Sequence, residues 1–566
     1  MNSTSLKQNG DCSRPRYERL SYVHNPGKEP LKYMTIGDLV EESARKYGAI
    51  NAIVSVCDNQ RITYREVLER SSQLANGFLS LGLRKGDKIG LWAPNVPEWI
   101  IVFFAAARIG LITVTINPKY QAAELQHALK LCDVKALVCS EKCKTLDFYG
   151  ILLSLIPDLK TSEPGNVSCT SIPTLKNIIT ITTSKLKGTY SYYDVMNFGT
   201  GEIGDECEVA AEDIANLQFS SGTTGRPKVV CLTHFQMVNN AYHMGKRLGI
   251  DDDQHVYCLQ PPLFHVFGIC VCLLSAYHNG TTLVLPSPLY SPSANIKAMA
   301  EERCTVVCGT PTMYIDLVSL QSKLNLKLYA RRALIGASPW PSKLVDDIKD
   351  ILKIKDIKCL YGATELTSAA FHSLKEVNKH NDVAENIAYI GEYVEAKVVD
   401  RNQNVVPFGT PGELCIRGYL TMTGYWKEPE LTAKVLNKDR WFRTGDQFVL
   451  YEDGRGKVVG RLKDMIIRGG ENISPSEVEE FLHTHPDIVE ASVIGIADER
   501  LGEDVGACIR LREGANLSLE NLREFCKGKI ATYKIPAQIK IMETFPKTLS
   551  GKVQKFVLRQ EFSRTK

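Results

Sequence analysis

Four short stretches constrain the fold more than anything else in the chain. "TTLVLP" (281–286), "CTVVCGTP" (304–311), "ALIGAS" (333–338) and "KCLYGATE" (358–365) are apolar runs, each closed by Gly, Pro, Ser or Thr. A short run without polar alternation reads as a strand covered on both faces, the habit of parallel sheets flanked by helices. Helical patterns alternate with such runs. "ERSSQLANGFLSLG" (69–82) spaces Leu74, Phe78 and Leu81 at helical intervals, and helical "AELQHALKLCD" (123–133) precedes the strand "KALVC" (135–139). "KIGLWAP" (88–94) reads as another short strand. This is α/β grammar, in which ligands gather beyond the strand ends. "WIIVFFAAARIGLITVTI" (99–116) is apolar enough to suggest a membrane span, but Arg108 and Gly110 interrupt it. A buried helix ending at Gly110, then a buried strand to Ile116, is expected instead, and no transmembrane segment.

A chain of 566 residues is too long for one core. Residues 158–175 and 187–213 are rich in Ser, Thr, Gly and acid and read as loops. From about residue 391 to 460 strands and turns dominate, which suggests a small β subdomain. A boundary is expected near Arg461–Asp464, followed by a compact α/β segment. There Ser474-Pro475-Ser476-Glu477 reads as a capping box, opening a helix to about His485. Strands over 491–497 and 506–511 and a helix over 519–530 should follow. The expected division is an N-terminal extension (1–34), a large N-terminal domain (35–460) and a small mobile C-terminal domain (461–566).

Net charge is +4, with no basic block, so nucleic acid is not an expected partner. The 17 cysteines are scattered, without zinc-ligand spacing, and read as buried thiols of a reducing compartment. The N-terminus lacks the apolar core of a secretion signal and makes a weak mitochondrial presequence, with Asp11 and Glu18 among its basic residues. The C-terminal "SRTK" is not a peroxisomal tripeptide.

The chemistry is concentrated in "FSSGTTGRPK" (219–228). Gly222 and Gly225 permit tight turns whose backbone N–H groups form a nest for phosphate. Ser220, Ser221, Thr223 and Thr224 add hydroxyls, and Arg226-Pro227-Lys228 closes the loop with positive charge. It is not the loop of strand–loop–helix NTPases, since Pro227 and Val229 stand where that motif needs Gly and Ser/Thr. Alone, such a stretch reads equally well as a surface loop. Other segments favour a nucleotide. "YGATE" (361–365) offers Tyr361 to a purine face and Glu365 to Mg²⁺. "RTGD" (443–446) offers Asp446 to a ribose diol. Arg461 in "GRLKD" (460–464) and Lys552 in "PKTLSGK" (546–552) add cations within reach of phosphate.

In this order, together with "PPLFHVFG" (261–268), "GELCIRG" (412–418) and "IIRGGENISPSEVE" (466–479), these segments resemble the adenylate-forming superfamily over about residues 35–560. That superfamily comprises acyl-CoA synthetases, peptide-synthetase adenylation domains and luciferases. The last of these segments and "CGTPTMYIDL" (308–317) resemble the fatty acyl-CoA synthetases, and within them the medium-chain, mitochondrial-type acyl-CoA ligases.

The resemblance implies ATP-dependent ligation of a fatty acid to coenzyme A through an acyl-AMP intermediate. It implies that residues 220–228 hold the β- and γ-phosphates, while Thr364 and Glu365 handle the α-phosphate and Mg²⁺. Gly336, Ala337, Ser338 and Tyr361 would frame adenine, and Asp446 and Arg461 would hold ribose. His265 would gate the acyl pocket, and Lys552 would bridge the attacking carboxylate and the α-phosphate. A hinge near Lys463 would then swing Lys552 away and bring Gly469 and Gly470 over the thiol path. A mitochondrial location is implied in the same way, with the cytoplasm as the alternative. One departure stands out: the family usually has Gly after the loop lysine, and this chain has Val229, costly if the position needs positive φ. Adenylation of another carboxylic or amino acid, or an inactive nucleotide-binding relative, are the competing readings.

Overall fold

The computed structural model describes residues 19–199, 203, 207–220, 228–375, 380–468, 471–498, 500–527, 529–548 and 551–563. Three main sheets organise them. The apolar runs 281–286, 304–311, 333–338 and 358–365 contain the strands Thr282–Leu285, Val306–Gly309, Arg332–Gly336 and Asp356–Tyr361. With Val256–Leu259 and Asn51–Ser55 they form the parallel heart of a fourteen-stranded sheet. The strand-rich stretch after residue 391 continues that sheet rather than closing one of its own. Phe442–Leu450 pairs antiparallel with Arg455–Arg461, which pairs with Ile387–Ile390. Asp446 and Arg461 therefore sit in the same continuous sheet as the parallel strands.

A second, eight-stranded sheet carries Lys88–Trp92 and Ile112–Thr115 in parallel, then Ile214–Ser220 and Lys228–Thr233 as an antiparallel hairpin. Helices fill the space between the two sheets. Pro97–Arg108 is buried from Trp99 to Ala107, and the chain leaves it through Gly110, whose φ of +68° suits only glycine well. The expected buried helix and strand thus replace any membrane span, and no described helix is long and apolar enough to cross a membrane. Tyr64–Ser80 is started by a capping box in which Thr63 and Glu66 satisfy each other's backbone N–H. Thr233 and Gln236 do the same for His234–Arg247, which fixes the exit of the hairpin.

Residues 466–541 build a separate five-stranded sheet with hydrophobic clusters of its own, centred on Val493, Ile509 and Leu522 and on Ile494 and Leu558. The helix Pro475–Leu482 opens here, but not with the expected capping box. Ser474 Oγ donates to Val459 O (2.7 Å), Ser476 turns to the same carbonyl, and Glu477 pairs with Lys534. These hydroxyls tie the segment to the large sheet instead of capping the helix. The helix also stops earlier than expected. His483 Nδ1–H donates back to Glu479 O (2.6 Å), which closes the last turn.

Sixteen described cysteines are free, most of them buried. Cys270 and Cys272 lie in the fully buried π-helix Phe267–Leu274, immediately after His265, and burial pushes both thiols well up.

Candidate active site

The hairpin Ile214–Ser220/Lys228–Thr233 ends on the register pair Ser220↔Lys228. Its tip, Ser221, Gly222, Thr223, Thr224, Gly225, Arg226 and Pro227, lies outside the described residues, as do Gly469 and Gly470. Val229 is not strained: it is an extended strand residue opposite Phe219, buried, with its carbonyl accepting from Trp426 N (2.8 Å). The expected cost of Val at this position therefore does not arise, because the position does not use positive φ.

At the base of the hairpin, Ser220 Oγ donates to Glu365 Oε1 (3.2 Å) and Tyr425 OH donates to the same oxygen (2.9 Å). The Lys228 ammonium lies 4.9 Å from the Tyr425 ring centroid. Glu365 sits in the 3-10 turn Thr364–Leu366, directly beyond the strand Asp356–Tyr361, and Thr364 is buried beside it. Tyr425 was not singled out from the sequence. Only its place in the strand- and turn-rich stretch 391–460 marks it, and what brings it here is the two-residue strand Gly424–Tyr425 pairing with the hairpin.

The second group is built on paired strands. Asp446 and Arg461 are register partners. Tyr361 OH donates to Asp446 Oδ2 (2.8 Å). Arg461 Nε lies 2.9 Å from Oδ1, yet no hydrogen bond reaches that buried oxygen, so the contact is an ion pair that leaves Oδ1 open as an acceptor. Burial raises the Asp446 carboxyl's pKa, opposed by Arg461 and the Tyr361 hydroxyl, while Asp446 holds the Arg461 guanidinium up. The Tyr361 ring is backed by Phe448 (centroids 5.4 Å apart) and Phe371 (6.1 Å).

Tyr361, Asp446 and Arg461 line a cavity of about 180 Å³ with Ala337, Ser338, Trp340 and Lys552. Gly336 precedes it; a Cβ there would lie 3.0 Å from Leu360 O on the neighbouring strand. Ala337 holds φ at +77°, in the left-handed region, at the mouth of the cavity. Such strain in a non-glycine residue is typical of ligand-facing backbone.

Lys552 enters from the C-terminal segment. Burial, with help from Arg461, pushes its ammonium down to about 8, and Asp446 and Glu365 oppose that. His265 lies within reach of the Lys552 charge. Burial, and the positive charge of Lys552, push the imidazole down to about 3, so it is neutral. His265 Nδ1 accepts from Phe267 N (3.1 Å), which leaves the proton on Nε2. Two residues that sequence reasoning missed fix the turn carrying His265. Asn95 donates to Pro261 O (3.1 Å) and accepts from Leu263 N (2.8 Å), and Gln218 donates to Phe264 O (2.5 Å). No cluster of three or more His, Cys, Asp or Glu able to hold a metal occurs among the described residues.

Two family models match the chain. Residues 40–426 match the AMP-binding enzyme family, and residues 477–552 match the AMP-binding enzyme C-terminal domain. The chain belongs to the AMP-binding enzyme family. Among its relatives, the mitochondrial medium-chain acyl-CoA ligase ACSF2 of Danio rerio is 39% identical, over 95% of this chain and 90% of that protein. The Homo sapiens protein of the same name is 37% identical, over 96% and 90%. Among solved structures, the anthranilate CoA ligase AuaEII in complex with anthranoyl-AMP aligns with a TM-score of 0.83 at 26% identity, over 95% of this chain and 99% of that one. ATP-bound MatB from Rhodopseudomonas palustris, at 23% identity, shares the fold with a TM-score of 0.79, over 94% of this chain and 99% of that one. The family's two-part build matches what the strands show: a large sheet system carrying Asp446 and Glu365, and a smaller one delivering Lys552.

Proposed function

We propose that this enzyme joins a fatty acid, medium-chain in preference, to coenzyme A with ATP, releasing AMP and pyrophosphate. The observation that supports the reading is the convergence of Lys552, Asp446, Arg461 and Tyr361 on one cavity, with Lys552 arriving from the C-terminal segment and Glu365 and neutral His265 within reach of its charge. The ACSF2 relatives supply the acyl class.

In the first step a carboxylate oxygen attacks the α-phosphorus of ATP, the bond to the β-phosphate bridging oxygen breaks, and pyrophosphate leaves. Two anions must meet, so catalysis lies in alignment and charge neutralisation rather than in a protein nucleophile. Lys552 bridges carboxylate and α-phosphate. The open Oδ1 of Asp446 accepts from the ribose diol while Arg461 balances its charge. Ala337, Ser338 and Tyr361 border the base. His265 presents Nε2–H to the acid at the mouth of the acyl pocket; a neutral imidazole there suits an uncharged acyl tail, whereas an amino-acid substrate would call for a carboxylate. The 220–228 loop receives the β- and γ-phosphates. Glu365 and Thr364 fit Mg²⁺: a single carboxylate plus phosphate oxygens is the usual Mg²⁺ shell, and the ion supplies positive charge at the phosphates.

In the second step the sulfur of coenzyme A attacks the acyl carbon, the bond to AMP breaks and the thiol proton is released. Lys552 has no part in it, so residues 461–566 turn about Lys463 between steps and Gly469 and Gly470 line the thiol path. The turn Leu462–Asp464 suits such a joint, being a short helical turn between two sheets. By likeness to the relatives so named, the enzyme works in the mitochondrion.

Thioester formation over a chain-length series of acids tests this reading. Maximal turnover with medium-length fatty acids is expected. Turnover with amino acids alone would overturn the acyl assignment, and ATP binding without turnover on any acid would overturn the enzymatic one.

A further inference from the structure

Glu365 and Lys228 carry opposite charges at the base of the hairpin, yet among the described residues no ion pair or hydrogen bond joins them. Each meets a different part of Tyr425 instead. The hydroxyl donates to Glu365 Oε1 (2.9 Å), and the Lys228 ammonium lies over the ring, 4.9 Å from its centroid. A phenol O–H suits a carboxylate, and the negative face of an aromatic ring suits an ammonium.

The side chain between the two charges is firmly placed. Tyr425 is buried and pairs with Val230 along the edge of the hairpin. Its N–H donates to Thr432 Oγ1 (2.9 Å), and Trp426 N–H donates to Val229 O (2.8 Å). The same segment grips the other partner, since Met422 N–H donates to Glu365 O (2.9 Å). Ser220 Oγ gives Glu365 Oε1 a second donor (3.2 Å). Burial and the Glu365 charge raise the pKa of the Tyr425 hydroxyl, so its proton stays in place to be donated.

This arrangement matters before ATP arrives. A flexible lysine and a glutamate left facing each other would close into an ion pair, which a polyanion would have to break before it could use the ammonium. A ring and a hydroxyl satisfy both charges without neutralising either.

We propose that Tyr425 is a spacer that keeps Lys228 and Glu365 from pairing, so that both charges stay available at the triphosphate of ATP. It touches none of the reacting atoms and is a positioning residue. The inference rests on the reading that the 220–228 loop receives the β- and γ-phosphates.

The test is a double-mutant cycle on the full chain, read as ATP affinity by calorimetry. Acid and Mg²⁺ are left out, so nothing turns over and no metal ligand is at issue. Tyr425→Leu removes ring and hydroxyl and should weaken ATP binding about tenfold. Glu365→Gln removes the charge with which Lys228 would pair. In that background Tyr425→Leu should cost less than about twofold. Tyr425→Phe keeps the ring but leaves Glu365 short of a donor. It should cost about threefold alone and nothing measurable beside Glu365→Gln. Loss of packing would weaken binding equally in both backgrounds. That result overturns the spacer, and so does unchanged affinity in Tyr425→Leu. If the leucine variant does not fold, the phenylalanine cycle decides by the same criteria. Lys228→Ala, run alongside, separates the two ideas. If it binds ATP as tightly as the unaltered enzyme, the phosphate reading of the loop falls and takes the spacer with it. If it weakens binding while the Tyr425 cycle is additive, only the spacer falls.

Discussion

The two sides of the cavity between Asp446 and Lys552 are built in opposite ways. On one side, proposed to take ribose, Asp446 and Arg461 are locked opposite each other in a ladder of the largest sheet, backed by Tyr361 and two phenylalanines. On the lysine side, Lys552 reaches the cavity from a short loop of the C-terminal segment that belongs to no strand of the large sheet, and beside it the Gly551 carbonyl accepts from Thr312 Oγ1. On the proposed function, the strand-borne side would hold a nucleotide through both steps, and the loop-borne side suits a group that must arrive and leave. Rigidity belongs where binding persists, and weak, mostly polar contact belongs where the chain must move.

The largest effect should come from the movable side. Lys552→Ala is expected to cut acyl-AMP formation about a hundred- to a thousandfold, the scale of a deleted transition-state charge, and to spare thioester formation from acyl-AMP. Equal loss in both steps would mean the two sides do not differ in timing. On the fixed side, Asp446→Asn should raise the KM for ATP between about ten- and a hundredfold, because one charge-assisted acceptor is lost, and should affect every step that holds nucleotide. An unchanged KM would remove Asp446 from the ribose site. The pH profile sharpens the contrast further. Lys552 works protonated and titrates at about 8 instead of 10.5, so acyl-AMP formation should fall about tenfold per pH unit above that point. His265, at about 3, should add no break between pH 5 and 9. The same lysine shift makes the buried ammonium a stability cost at pH below 8 that fades as pH rises towards 10.5. The smallest effect should come from the cavity rim. Ala337→Gly should relieve left-handed strain and raise stability by up to about 1 kcal/mol, read as a small increase in Tm with turnover retained.

Much of this was legible in the sequence because the strands of the parallel sheet are uniformly apolar and end in turn residues, which marks both the fold and where ligands collect. "YGATE", "RTGD" and "GRLKD" could be read as site segments because each pairs a turn with a charged or aromatic side chain. What escaped was everything that depends on pairing between distant strands. Tyr425 meets Glu365 only because a two-residue strand adds to the hairpin edge. Asn95 and Gln218 are ordinary polar residues until the turn at Pro261–Phe264 folds onto them. Val229 looked costly because the local motif was read without its ladder; opposite Phe219 it is a well-placed β-branched residue. Ser474 looked like a cap until Val459 offered a better acceptor.

The buried thiols have a consequence for an enzyme that handles an activated acyl group. Acyl-adenylates react readily with thiolates, and Cys270 and Cys272 follow His265 in the chain by only a few residues. Sequestration keeps these sulfurs protonated and unreactive. An activated acyl group held near His265 then meets protonated, buried sulfurs rather than rival thiolates.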